Sequence, residues 1–294
     1  ATLDISGNAD IDGTTNLDAV DIDGAVQIDS TVTVGVDDTG HDVTFFGASA
    51  GAKLIYDQSE DTLEVRGPSA DATTSTGKLK LTTALTDIND GDVLGRIDFA
   101  APLEAGGTDA ILAGAAIWAE ADATFAADNN STELVFATNT SAAATERMRI
   151  NSSGHVGIGV VPTTWLATYD VLQLGGYAAL STHQATDAGM PFSITQNANL
   201  DTDGTWEYII EDEAAMYQTS NGEHRWYTAG SAGVGTDISW AEKFKVDNNG
   251  SVVTTTTASA NTFHMKNSHG SAPYGIYVQW TGASPDGSGT QFLT

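Results

Sequence analysis

The sequence predicts an all-β chain that assembles as an elongated fibrous homotrimer, with an N-terminal hexad-repeat β shaft followed by small β-sandwich or hairpin modules. Three observations predict it. The 294 residues include 39 Thr and 31 Gly but only 17 Leu, and β-branched side chains suit a pleated surface better than a helix. Apolar β-formers recur every five or six residues near the N-terminus. An eleven-residue segment occurs twice, at 146–156 and 242–252.

The hexads come first along the chain. Ile5, Ile11, Leu17, Ile22, Ile28 and Val34 mark successive units, each bordered by Asp and several closed by Gly. A unit with one large apolar side chain cannot bury it alone. As a single-chain β-helix, five or six units give only about two coils, below the roughly three stacked repeats that stability requires. Identical parallel chains winding together, each supplying one side of a shared axial core, solve the same problem with fewer residues. Residues 1–52 contain ten Asp and no Lys or Arg. The competing reading of this acidity is a divalent cation on the shaft, since Asn8-x-Asp10-x-Asp12-Gly13 and Asn199-x-Asp201-x-Asp203-Gly204 copy half of a calcium loop. Both lack the closing Glu, with Ala19 and Ile210 in its place. They read first as turns in which Asp and Asn bond their own backbone; no cofactor is expected.

Beyond the shaft, strands are expected at Asp42–Phe46, Lys53–Asp57, Thr62–Arg66, Lys78–Thr83 and Gly95–Ala100, each flanked by Gly, Asp or Asn. The Ala-rich stretch 110–127 alternates Ile111, Ala113, Ala115, Ile117 and Ala119, and is read as a strand. Glu133–Thr138 and His224–Ala229 precede the two copies of the repeat. Each copy runs Glu, basic, apolar, basic, β-branched, then a polar link closed by Gly, which is a strand turning into a hairpin. Five of the eleven basic residues, Arg147, Arg149, Arg225, Lys243 and Lys245, lie in these regions, and ion pairing with the acidic background is expected of them. The organisation that follows is a shaft over 1–44, a hairpin connector over 45–94, a module over 95–160, a second module over 161–258, and the start of a further module over 259–294.

Several function classes fall away. The formal net charge of −28 opposes binding to a phosphate backbone, and no basic patch compensates. No apolar run reaches the roughly 18–20 residues of a membrane span. The absence of Cys removes thiolate chemistry and disulfides. Gly47-Ala-Ser-Ala-Gly51 fits a nucleophile-elbow pattern, but that elbow needs a helix after the turn and a strand is expected instead. Gly154-x-x-Gly157-x-Gly159 lacks a βαβ context. The His residues show no close metal-ligand spacing. Glu207, Glu211, Asp212 and Glu213 are the densest carboxylates beside aromatics, the minimum a glycosidase pair would need. The chain is read as a non-enzyme.

Gly95-Arg-Ile-Asp-Phe, Glu133-Leu-Val-Phe-Ala-Thr and Thr145-Glu-Arg-Met-Arg-Ile-Asn-Ser-Ser-Gly-His-Val-Gly-Ile-Gly together resemble the repeated body of tailed-bacteriophage tail fibres, especially those of marine phages. Tyr274-Gly-Ile-Tyr-Val followed by Ala283-Ser-Pro-Asp-Gly resembles a further module of such fibres, and the Asp/Ile hexads resemble their shafts. The resemblance is strongest at 95–100 and 133–159 and weaker at 165–240. It implies a parallel homotrimer located on the virion tail, associated with other tail or virion proteins. It also implies contact with a host-surface glycan or outer-membrane receptor, without nucleic acid and without membrane insertion. The alternatives are a glycan depolymerase tailspike and a bacterial surface adhesin.

For receptor binding the candidates are Trp206, Tyr208, Trp226, Tyr227 and Trp240, which gather within 35 residues beside Glu207, Glu223, His224 and Arg225. Sugar rings stack on aromatic faces while polar neighbours bond their hydroxyls. The same aromatics would equally serve as core, and the alternation of Trp206 with Tyr208 and of His224 with Trp226 turns at least one set inward.

Overall fold

A computed structural model describes residues 21–255; the hexad positions Ile5, Ile11 and Leu17, the Asn8 half-motif and the module expected over 259–294 lie outside them. The described residues are all-β, with no helix. Two compact units divide the chain, residues 1–80 and 81–294.

In the first unit, β1 (Val43–Phe46), β2 (Lys53–Asp57) and β3 (Thr62–Arg66) form an antiparallel three-stranded sheet. Gly47–Gly51 is the tight link between β1 and β2, closed by the Gly47 N–H donating to the Ala52 carbonyl at 2.8 Å. It leads directly into a strand and so has no elbow geometry. The described hexad positions Ile22, Ile28 and Val34 precede this sheet, outside any strand and exposed.

The described residues of the second unit form one twelve-stranded sheet and a short separate hairpin. The sheet begins with β4 (Val93–Ala100), β5 (Ala113–Ala121), β6 (Thr132–Thr138), β7 (Thr145–Ile150) and β8 (Val156–Ile158), each antiparallel to the last. β9 (Tyr169–Leu174) then joins β8 in parallel. β10 (Ala178–His183), β11 (Phe192–Gln196), β14 (Asp212–Ser220), β15 (Glu223–Ala232), β16 (Ala241–Val246) and β17 (Val252–Thr254) complete the meander. The short hairpin of β12 (Asn199–Leu200) and β13 (Trp206–Glu207) stands apart from it. The small sandwiches expected from the sequence are therefore replaced by a continuous sheet, because each hairpin hydrogen-bonds to the next and the β8–β9 pair carries the ladder across residues 160–161.

Lys78–Thr83 is not a strand. Its alternation is right, but the segment passes β4 without forming a ladder. A Cβ on Gly95 would stand 3.0 Å from the Leu81 carbonyl oxygen, so glycine is what permits that approach. The Ala-rich stretch is strand over Ala113–Ala121, as expected. Asn221 and Gly222 join β14 to β15 with φ of 52° and 75°, the two positive values of a two-residue type I′ hairpin turn.

The two faces of the sheet differ sharply. Strand alternation puts Arg96, Asp98, Glu120, Glu133, Arg149, Arg225 and Lys245 on one face. Loops fold over that face along β9–β15 and bury Val171, Ala179, Ala214 and Ala229 with Trp165, Leu200, Tyr208 and Ile238. The opposite face carries a ladder of directly paired apolar residues, Ile97–Ile117–Phe136–Met148–Ile158–Leu174. A second ladder, Leu134–Ile150–Val156–Leu172–Leu180–Ile194–Tyr217–Trp226–Phe244, runs beside it. Nothing in the chain covers them among the described residues: Ile158 is 44% exposed.

Candidate functional site

The five aromatic candidates are split by the sheet. Trp206, on β13, is the hub of the covered side. Its ring meets Trp165 edge-on at 6.2 Å and Trp240 at 6.2 Å, and it packs against both core clusters. Tyr208 is 4% exposed, with its hydroxyl donating to the Gly230 carbonyl. Tyr227 approaches Trp240 at 6.3 Å. The ring faces of Trp206, Tyr208 and Trp240 are thus engaged in packing, where each aromatic contributes through buried area and edge-to-face contact. Trp226 points the other way. It sits between Tyr217 at 4.9 Å and Phe244 at 4.8 Å on the open face, and is 39% exposed. His224 completes this group, its Nδ1 2.5 Å from the Tyr217 hydroxyl.

The loops that make the covered side are tied down by buried amides. Asn197, at φ 56° and fully buried, donates its Nδ2 to the carbonyls of Ile210, Asp212 and Glu213 at 3.1 Å. Its Oδ1 accepts the Ile210 N–H at 2.7 Å. Gln173 does the same for the loop after β8, its Oε1 accepting the Thr163 N–H at 3.0 Å. The Asn199–Gly204 half-motif is a turn, as expected: the Asp201 N–H donates to the Thr205 carbonyl, and Asp203 accepts from the Thr205 N–H and hydroxyl.

Of the five basic residues expected to pair, Arg149, Arg225 and Lys245 form two ionic clusters, whereas Arg147 and Lys243 lie exposed and make no ion pair among the described residues. Arg149 is shared by three carboxylates, lying 3.0 Å from Glu120, bidentate to Glu146 at 3.0 and 2.6 Å, and paired with Glu133. Glu120 and Glu133 face each other directly across β5 and β6. Trp118 donates its indole N–H to Glu120, and its ring carries Arg96 at 4.8 Å. Burial, and then the charge of Glu120, pushes the Glu146 carboxyl up; one guanidinium does not neutralise three acids. In the second cluster Arg225 pairs with Glu223 and Glu242, and Lys245 with Glu223. There the Arg225 hydrogen bond holds the Glu223 carboxyl down.

The two clusters are equivalent by register. Phe136 opposes Met148 as Trp226 opposes Phe244, and Leu134 opposes Ile150 as His224 opposes Val246. Each pair of strands carries a bulge at the same place, after Phe136 and after Trp226. The following turns match bond for bond, Asn151 N–H to the His155 carbonyl and Asp247 N–H to the Ser251 carbonyl. The repeat seen in eleven residues therefore extends over four strands, β5–β8 and β14–β17. Sequence comparison missed β14 because Tyr217 and Gln218 stand where Ile117 and Trp118 do; the Asn221-Gly222 turn was the signal that could have found it.

Of the carboxylates beside the aromatics, Glu207 is pushed up by desolvation and by Asp201, Asp203 and Asp237, whereas Asp212 is held down by hydrogen bonds from Glu213. No group of three or more metal-ligating side chains converges among the described residues.

No family model matches the chain, and no curated protein matches it. Among solved structures it is similar to the carboxy-terminal domain of the bacteriophage T5 L-shaped tail fibre with its intramolecular chaperone domain, at 11% identity and a TM-score of 0.38, over 76% of this chain and 70% of that one. It is also similar to a structure of the carboxy-terminal domain of the same fibre, at 12% identity and a TM-score of 0.37, over 66% of this chain and 91% of that one. At that level the likeness carries no argument for this chain.

Proposed function

We propose that the chain is a structural segment of a trimeric virion appendage of the tail-fibre kind, which positions host-surface recognition and catalyses nothing. The observation that carries this reading is the four-strand module repeated register for register within one sheet. Stacked modules that contact only their neighbours build length, and length is what a spacer supplies. The exposed hexad residues Ile22, Ile28 and Val34 support association, since nothing among the described residues covers them. Three copies winding in parallel would bury them along a common axis. The resemblance of 95–100 and 133–159 to tail-fibre modules supplies the biological setting.

Light scattering of the purified protein tests the assembly, and about three times 30.5 kDa is expected. A stable folded monomer overturns it. Labelled protein applied to a panel of bacteria tests the adhesive role; binding without loss of surface polysaccharide is the expected outcome, and release of oligosaccharide would make the protein a depolymerase.

A further inference from the structure

We infer that copies of this chain pack through the open apolar face of the twelve-stranded sheet, parallel and in register, each module meeting its own counterpart. This rests on the reading of the chain as a self-associating segment and names the surface and the alignment.

The segregation of charge selects the face. Along the ladders, the ionic residues of both modules lie on the face with Arg149 and Arg225, while the opposite ladder positions from Ile97 to Phe244 are apolar apart from a few small polar residues, Gln196, His224 and Asp170. Twelve strands about 4.8 Å apart extend roughly 50 Å, and three open-face residues per strand cover about 14 Å. The resulting surface, on the order of 700 Å², exceeds the largest apolar patch of an ordinary monomer and approaches the roughly 800 Å² per partner of a stable interface.

Its occupant must be flat, apolar and equally long. The chain itself presents such a surface. Face-to-face contact also leaves the ionic face outward, so that a molecule of net charge −28 brings together the part of itself that repels least.

Alignment follows from the differences between modules. Ile117, Phe136 and Met148 form the first tier, and Tyr217, Trp226 and Phe244 occupy the equivalent places in the second. The second tier also holds His224 where the first has Leu134, and Thr254 where the first has Ile158. In parallel register, imidazole, phenol and hydroxyl groups meet their like and can exchange hydrogen bonds. An antiparallel copy would press them against Leu134 and Ile158, and a polar group buried without a partner is destabilising.

The chain has no cysteine, so introduced thiols report contacts cleanly. Met148→Cys and Phe244→Cys chains, one lengthened by a tag, are refolded separately and together, sized under native conditions and oxidised. Each is expected to cross-link with itself, mixed 148–244 products are expected to be rare, and Asp98→Cys on the ionic face should stay reduced. Dominant 148–244 products overturn the alignment. Trimers in which neither position cross-links overturn the surface while leaving the fibre reading intact. Monomers in all samples overturn both.

Discussion

Arg149→Met, on the interior strand β7, should make the second unit unfold far more easily. The Arg149 side chain is 12% exposed and Glu133 5%, so solvent does little to screen what is left. The substitution removes the only cation that touches Glu120, Glu133 and Glu146 among the described residues. Glu120 and Glu133 then oppose each other across β5 and β6 with like charge. Breaking a buried pair by deleting one partner costs about 3–5 kcal/mol. At about 2–4 °C per kcal/mol for a unit of 150–250 residues, the melting temperature should fall by about 6–20 °C at pH 7. Acid should restore part of the loss. Burial and the charge of Glu120 already push the Glu146 carboxyl up, and removing its guanidinium leaves that push unopposed, so the native chain binds this proton more tightly than the unfolded one. Stability is then regained as pH falls towards the ordinary glutamate value and lost as pH rises above it. Thermal melts of parent and variant at pH 7 and pH 5 check this, with Glu133→Gln as a second background in which Arg149→Met should be less damaging. A fall under about 2 °C, or a gap between parent and variant that ignores pH, would refute the account of this cluster.

The remaining expectations are smaller in scope. Asn197→Ala should cost about 2–4 kcal/mol, since four backbone groups lose the partner that the buried Asn197 amide supplies and Ala is strained at φ 56°; Asn197→Gly should cost less because it escapes the strain. Asp247, held below its ordinary 3.8 by N–H donors from Ser251 and Asn249, stabilises the β16–β17 turn above that value and ceases to as pH falls through its lowered pKa. Amide protection at Ser251 should therefore drop in acid, while that at His155, whose N–H is held by the amide of Asn151, should not. Added sodium chloride should raise the melting temperature by screening the net charge of −28; a steady fall would show that attractive pairs outweigh repulsion.

Much of this fold was legible because its signals are local. β1, β2 and β3 lie within a residue of where alternation and turn residues put them, and β6, β7 and β16 follow from the duplicated segment. What failed was non-local. Lys78–Thr83 has a strand's pattern, but a strand exists only where another backbone supplies a ladder, and none does there. The strands from 169 to 220 carry hydrophobic-in, hydrophobic-out sequences such as Val171-Leu172-Gln173-Leu174, in which period-2 alternation is blurred because both faces are apolar. The aromatic site shows the same limit. Alternation turned at least one of the aromatic sets inward, but only the loops over β9–β15 decide which side is roofed by its own chain and so separate Trp206 from Trp226.

That asymmetry also gives the acidity its physical meaning. In a soluble monomer, a sheet with one covered and one open face should carry its charges on the open one, where they are hydrated at no cost. Here the charged ladders lie on the face that loops partly roof, and Arg149, Arg225 and Lys245 are spent on pairing there. Such pairs contribute little net stability once desolvation is counted, so stability alone does not account for the arrangement. It is accounted for if the bare apolar face is the inner one and the ionic face, loops included, is the outer surface of an assembly. Negative charge then covers the outside, where it discourages lateral sticking of the strands that end the sheet among the described residues, β4 and β17, and is kept away from the face on which the copies must meet.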